Sequence, residues 1–178
     1  MLTLHEPWFY NNRKTGGERL NKTKFGGGAQ KHYPLVKDKD LIEFGSQVQS
    51  ITADNCALFL WATAPKLPVC IEFLKSCGFR YATTAYTWIK TNNANDAVKY
   101  GTGNYTASNP EFVLLGVKGS MPVSKKMTPS VIIQPRMEHS RKPDIHHRID
   151  ELYPKGRRIE LFARRKELEG WDYWGNEV

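Results

Sequence analysis

The sequence predicts an α/β fold: a single domain with a largely parallel sheet flanked by helices. Two observations carry this. Short apolar runs, Cys56–Thr63 and Glu111–Val117 among them, alternate with segments of helical periodicity. At 178 residues the chain is long enough for one full core and short for two.

Leu2–Leu4 is a short apolar strand that runs into a Pro7-Trp8 turn. Residues 11–32 are polar, basic and glycine-rich, and read as a mobile loop. Asp38 to Val48 predicts a short helix capped by Asp38 or Asp40. Cys56–Thr63 is a continuous apolar run, the pattern of a strand buried on both faces. Pro65 to Cys77 predicts a helix, because Leu67, Cys70, Ile71 and Leu74 recur at helical spacing and Gly78 ends it. Thr83–Lys90, rich in threonine and aromatics, predicts a strand, and residues 92–109 a second polar loop. Glu111–Val117, Val131–Ile133 and Arg158–Ala163 are further strands. Asp144–Leu152 is a helix between Pro143 and Pro154, with Asp144 as its N-cap. The aromatics of Trp171–Trp174 read as packing.

Ligands of such sheets bind beyond the carboxyl ends of the strands. His5-Glu6-Pro7-Trp8, Thr63-Ala64-Pro65, Lys90-Thr91-Asn92 and Arg164-Arg165 are therefore expected to line one cleft.

Composition narrows the classes. A hydrophobic content of 40% with 12% aromatics is that of a globular chain, not a disordered one. The longest apolar run, Cys56–Ala62, is far too short to span a bilayer. No basic segment followed by an apolar one opens the sequence, so a cytoplasmic setting is expected, a host cytoplasm if the source is viral. Cys56, Cys70 and Cys77 are odd in number and form no C-x-x-C pair, so buried free thiols are expected. His139, His146 and His147 lack cysteine or carboxylate partners at ligand spacing, and no metal is expected. Gly101-Thr-Gly103 precedes a strand instead of following one, so it is no dinucleotide fingerprint.

The formal net charge is +8, which favours a polyanionic partner. Cations crowd two loop-like stretches, Arg13 to Lys31 and Lys118 to Lys142. A solvated basic surface is the alternative reading.

Several strand ends and turns, taken in order, resemble one family. They are Leu58-Phe-Leu-Trp61, Gly78-Phe79, Trp88-Ile-Lys-Thr-Asn92, Gly101-Thr-Gly103 and Glu111 through Gly119. They continue through His139-Ser-Arg-Lys-Pro-Asp144, Ile159 to Arg164 and Gly170 to Asn176. Their joint order is similar to the MT-A family of S-adenosylmethionine-dependent N(6)-adenine methyltransferases. The resemblance covers nearly the whole chain. It implies a Rossmann-like methyltransferase fold that moves a methyl group from S-adenosyl-L-methionine to the exocyclic amine of adenine in DNA or RNA.

The family's signature is Asp-Pro-Pro-Trp after the first strand. Here His5 stands at the Asp, Glu6 at the first Pro, Pro7 at the second and Trp8 at the Trp, so two of four positions match. The resemblance makes these four the catalytic candidates. It implies cofactor contacts for Lys142, Glu160, Phe162, Arg164 and Asn176. Glu111, Lys90 and Asn92 are the candidates for binding the target nucleoside.

An adenine amine is a weak nucleophile because its lone pair is delocalised into the ring. The protein must hold the amine hydrogens with acceptors so that the lone pair faces the methyl group; positioning and electrostatics supply the effect, and no metal is needed. Trp8 is suited to stack on a base taken out of a helix or drawn from a single strand. A neutral His5, the Glu6 carboxylate and the backbone carbonyls of Glu6 and Pro7 are the acceptors at hand. Two readings stand: a working enzyme whose His5 or Glu6 replaces the Asp, or a catalytically inactive subunit that binds cofactor or nucleic acid and supports a partner. A basic domain that binds nucleic acid without cofactor is a third. The compact length favours DNA over RNA as partner. Homo- and hetero-oligomers are both open.

Overall fold

The structure, a computed structural model, describes residues 1–4, 36–94, 96–101, 105–137, 141–164, 168–175 and 178. The elements in chain order are β1 (Leu2–Leu4), α1 (Asp38–Ser50), β2 (Cys56–Thr63), α2 (Leu67–Ser76), β3 (Arg80–Thr91), β4 (Glu111–Lys118), β5 (Val131–Pro135), α3 (His146–Leu152), β6 (Ile159–Leu161) and β7 (Asp172–Trp174). The strands form a seven-stranded sheet in the order β5-β3-β4-β2-β1-β6-β7. The β1–β2, β1–β6, β3–β5 and β6–β7 pairs are parallel, and only the two pairs made by β4 are antiparallel. This is the Rossmann-like, largely parallel layout that the sequence predicts.

The reversed strand decides where the chemistry gathers. β4 runs against β2 and β3, so its first residue lies where theirs end. Glu111 is opposite Thr63 of β2 on one side and Trp88 of β3 on the other.

Two cores cover the two faces. Leu2, Leu4, Leu58, Leu60 and Leu161 pack against Leu41 and Val48 of α1 and Phe73 and Leu74 of α2. Phe59, Trp61, Tyr86, Trp88 and Val113 pack against Ile149 of α3, Tyr153 and Trp171. β2 contributes alternate residues to both cores, which explains its unbroken apolar run.

Several boundaries differ from the sequence reading, each for a local reason. The cap of α1 is Lys37, not Asp38 or Asp40. Both acids fall in the first turn, where the helix dipole favours them, and Asp38 takes Lys66 Nζ on its two oxygens at 2.6 and 2.8 Å. α2 starts at Leu67 because Ala64–Lys66 forms a 3-10 turn first. Gly78, at φ +81°, ends it as expected. β3 extends back to Arg80 through two register shifts against β4.

β6 stops at Leu161, short of Ala163, because Phe162 turns into the left-handed region at φ +56°. The following tail is not packing alone: Asp172–Trp174 adds β7 beside β6. Ala163 N–H donates to Trp174 O at 2.9 Å. A Cβ on Gly175 would overlap Ala163 O, so this crossing requires glycine.

The three thiols are free and buried, as the sequence predicts. Burial pushes Cys77 up to about 12, far from a reactive thiolate. No helix among the described residues is long and apolar enough to cross a membrane.

Phe59 is fully buried, stacked near Tyr86 and edge-on to Tyr153. Phe59→Ala is expected to cost about 3–5 kcal/mol. The check is a lower urea midpoint with an unchanged denaturant slope.

Candidate active site

At the carboxyl edge of β2 and β3 a buried carboxylate is held between two cations. Glu111 is 8% exposed. Its Oε1 lies 2.6 Å from Lys90 Nζ, and its Oε2 accepts from Lys142 Nζ. Burial alone would favour the protonated acid; the ammonium groups of Lys142 and Lys90 override it and hold the carboxyl below its usual range. Two ammonium groups thus share this one carboxylate.

The floor beneath is aromatic. Trp61 and Trp88 meet edge to face, with centroids 6.3 Å apart. Lys142 Nζ lies 5.7 Å from the Trp61 ring and Lys90 Nζ 5.2 Å from the Trp88 ring, within cation–π range. Trp88 Nε1 donates to Gln134 O of β5 at 2.9 Å, which fixes the ring.

The wall is built by Asn109, a buried amide that sequence reasoning passed over as a loop residue. Its Oδ1 accepts Lys90 N–H at 3.0 Å, and its Nδ2 donates to Lys90 O at 2.8 Å and to Lys99 O. The side chain thus continues the β3–β4 ladder beyond Glu111 and pins the segment that returns beside it. Asn92 lies two residues past Lys90. Its N–H donates to Ala97 O at 2.9 Å and closes the turn that Thr91 and Val98 bridge.

A second cluster anchors the segment that carries Lys142. His146 is buried, with Nδ1 2.6 Å from Asp144 Oδ1 and Nε2 3.0 Å from Glu160 Oε2. Its ring meets Trp171 edge to face at 4.4 Å. Burial pushes the imidazole toward the neutral form, but the hydrogen bonds and charges of Asp144 and Glu160 outweigh it and hold the pKa up at about 9. The His146 hydrogen bond, working against burial, holds Asp144 down at about 2. The cap of α3 is Ile145, not Asp144, because the helix begins at His146. The Asp144 carboxylate still accepts the first helical N–H, His146 N, at 2.8 Å.

The structure therefore brings Glu111, Lys90 and Lys142 together, with Asn92 just beyond them. Glu160 is buried on His146, a partner that its place in an apolar strand did not reveal. An Asp-x-His step, Asp144 to His146, was the available signal. Phe162 packs between Phe44 and Trp174, at centroid distances of 5.7 and 5.3 Å. Arg164 follows two residues later at the same sheet edge. His5, Glu6, Pro7, Trp8 and Asn176 lie outside the described residues, as do His139 and the 11–32 segment. β1 ends at Leu4, at this same edge, between β2 and β6.

Residues 6–177 match the family model described as MT-A70. The chain belongs to the MT-A70 family. This MT-A70 chain is 34% identical over 183 residues to the type II methyltransferase M.MunI of a Mycoplasma species, an alignment covering 97% of this chain and 74% of that protein. It is 32% identical over 124 residues to a putative N(6)-adenosine-methyltransferase MT-A70-like protein of Medicago truncatula, across 68% of this chain and 20% of that one. It is 31% identical over 132 residues to the human N(6)-adenosine-methyltransferase catalytic subunit METTL3, across 72% of this chain and 23% of that one. The MT-A70 chain thus spans three quarters of the Mycoplasma protein and about a fifth to a quarter of the two eukaryotic ones.

The His146 pKa exceeds its ordinary value of 6.5. The stabilisation it carries is complete below pH 6.5 and is lost as pH rises through about 9. A shift of this size corresponds to roughly 3 kcal/mol. The thermal midpoint is expected to fall by about 6–12 °C across that window. His146→Gln should remove most of that dependence. Parallel pH profiles for the variant and the parent protein would contradict the assignment.

Proposed function

We propose that this chain is an S-adenosyl-L-methionine-dependent methyltransferase that acts on the exocyclic amine of adenine in nucleic acid, DNA rather than RNA. The observation that carries the reading is the Lys90–Glu111–Lys142 cluster, buried at the sheet edge where β1 also ends and leads into His5-Glu6-Pro7-Trp8. The preference for DNA rests on the likeness, over 97% of this chain, to a type II methyltransferase. Three buried free thiols agree with a reducing, cytoplasm-like compartment.

The residues present fit the cofactor. The Lys142 ammonium, at the sheet edge beside β1, suits a carboxylate. The aromatic face of Phe162 and the guanidinium of Arg164 follow β6 at the same edge. Lys142, Phe162, Arg164 and Asn176 would hold S-adenosylmethionine, and Glu160 would act at that edge while it holds the His146 imidazolium. When bound, the cofactor supplies an electrophilic methyl group on a sulfonium.

The chain's own part is positioning. Trp8 stacks on the extruded base. His5 in its neutral form, or the Glu6 carboxylate, accepts one amine hydrogen, and a backbone carbonyl of Glu6 or Pro7 accepts the other. Lys90, Asn92 and Glu111 receive the target nucleoside.

A second reading, an inactive subunit that supports a catalytic partner, is favoured by His5 standing where the family has Asp. Methyl transfer to adenine-containing DNA and RNA separates the two. The parent chain is expected to label DNA. The double substitution His5→Asp with Glu6→Pro should raise kcat/KM about tenfold or more, equivalent to ~1.4 kcal/mol of transition-state stabilisation. No transfer by either form to either polymer, with cofactor still bound, would favour the second reading.

A further inference from the structure

A cleft of about 160 Å³ opens beside the buried cluster, between the segment leading into β4 and the segment leaving β5. Lys99, Tyr100, Arg136 and Arg141 line it, with Asn109 and Glu111 at its floor. Lys142 is not part of this wall. We infer that this cleft is a phosphodiester subsite, which seats the nucleic-acid strand next to the target base. The inference rests on the nucleic-acid reading above and adds the residues that grip the backbone.

Charge is the first argument. The lining holds four cations, Lys90, Lys99, Arg136 and Arg141, against one carboxylate, Glu111. That carboxylate is already taken by Lys90 and Lys142. Among the described residues no carboxylate pairs with Lys99, Arg136 or Arg141. Three cations gathered with no carboxylate paired to them among the described residues repel one another, and an anion relieves that repulsion. Arginine forks match phosphate oxygens two at a time.

Rigidity is the second. Lys99 N–H donates to Lys90 O at 2.8 Å, Gly101 N–H to Ser108 O at 2.7 Å and Arg136 N–H to Thr91 O at 3.2 Å. Asn109 ties Lys90 to Lys99 from below. Lys99 and Arg136 therefore project from backbone that is hydrogen-bonded to β3. Tyr100 is 68% exposed beside them, a flat apolar face placed where a base can stack.

The test is anisotropy of labelled single-stranded DNA and RNA of one sequence, titrated with the full chain over a range of salt. Cofactor binding is measured in parallel by calorimetry. Lys99→Ala, Arg136→Ala and Arg141→Ala should each weaken binding to both polymers and reduce the log–log salt slope by about 0.7 for each phosphate that is no longer neutralised. Tyr100→Ala should weaken binding about tenfold and leave the salt slope unchanged. Lys75→Ala, an exposed cation of α2 on the opposite face, should change neither. Cofactor affinity should stay constant throughout.

A triple cation variant that binds like the parent would overturn the subsite and leave the nucleic-acid reading intact. A loss with Lys75→Ala equal to that with Arg136→Ala would overturn it also, since only net charge would matter. A loss confined to RNA would reject a phosphate contact in favour of the 2′-hydroxyl. A parent chain that binds cofactor but neither polymer would overturn the nucleic-acid reading and the subsite together.

Discussion

The rest of the site depends on one buried carboxylate kept ionised. Glu111 has almost no access to water, and burial of a lone charge is costly enough that a carboxyl protonates instead. Here it does not, because Lys90 and Lys142 reach it from two different parts of the chain. Lys90 comes from the end of β3 and Lys142 from the segment before α3. The carboxylate is therefore a junction as well as a charge: it fixes the distance between a strand end and a loop. The reversed direction of β4 makes this possible, since a parallel fourth strand would have put its first residue at the opposite edge.

The neighbours hold that junction in place. Trp61 and Trp88 give the ammonium groups an apolar, electron-rich floor. Asn109 extends the β3 ladder, so the end of that strand cannot fray away from the cluster. On the other side, Asp144 lies two residues from Lys142 and is locked to Glu160 of β6 through His146. The short segment 142–146 thus joins two charge clusters and spans from β4 to β6. Any ligand seated at this edge meets side chains whose positions are set before it arrives, the condition under which positioning contributes to rate.

Much of this was legible in the sequence. The unbroken apolar run of β2 and the helical spacing of Leu67, Cys70, Ile71 and Leu74 placed the central layers, and Gly78 marked the end of α2. The in-order segments marked Lys90, Glu111 and Lys142 as site candidates, but their meeting at one edge depends on the reversed direction of β4, for which the sequence carries no local signal. Partnerships were harder to read, because they depend on register and on which way a side chain faces. Nothing local to Glu160 says that it points inward at a histidine 14 residues earlier. Asn109 looks like loop polarity until its amide is seen completing a ladder. β7 has only three residues, too few for alternation to show, and the φ of Phe162 that shortens β6 has no signal in a residue type that rarely adopts it.

The central claim, that Glu111 and Lys142 act as one unit, is tested most directly by a double-mutant cycle on stability with Glu111→Gln and Lys142→Met at low salt. Removal of Glu111 alone leaves two ammonium groups facing each other, and removal of Lys142 alone leaves the buried Glu111 Oε2 without its ammonium donor. The double variant is therefore expected to lose less than the sum of the singles, with a coupling of about 1–3 kcal/mol. Losses that add within about 0.5 kcal/mol would show two independent side chains and contradict the account.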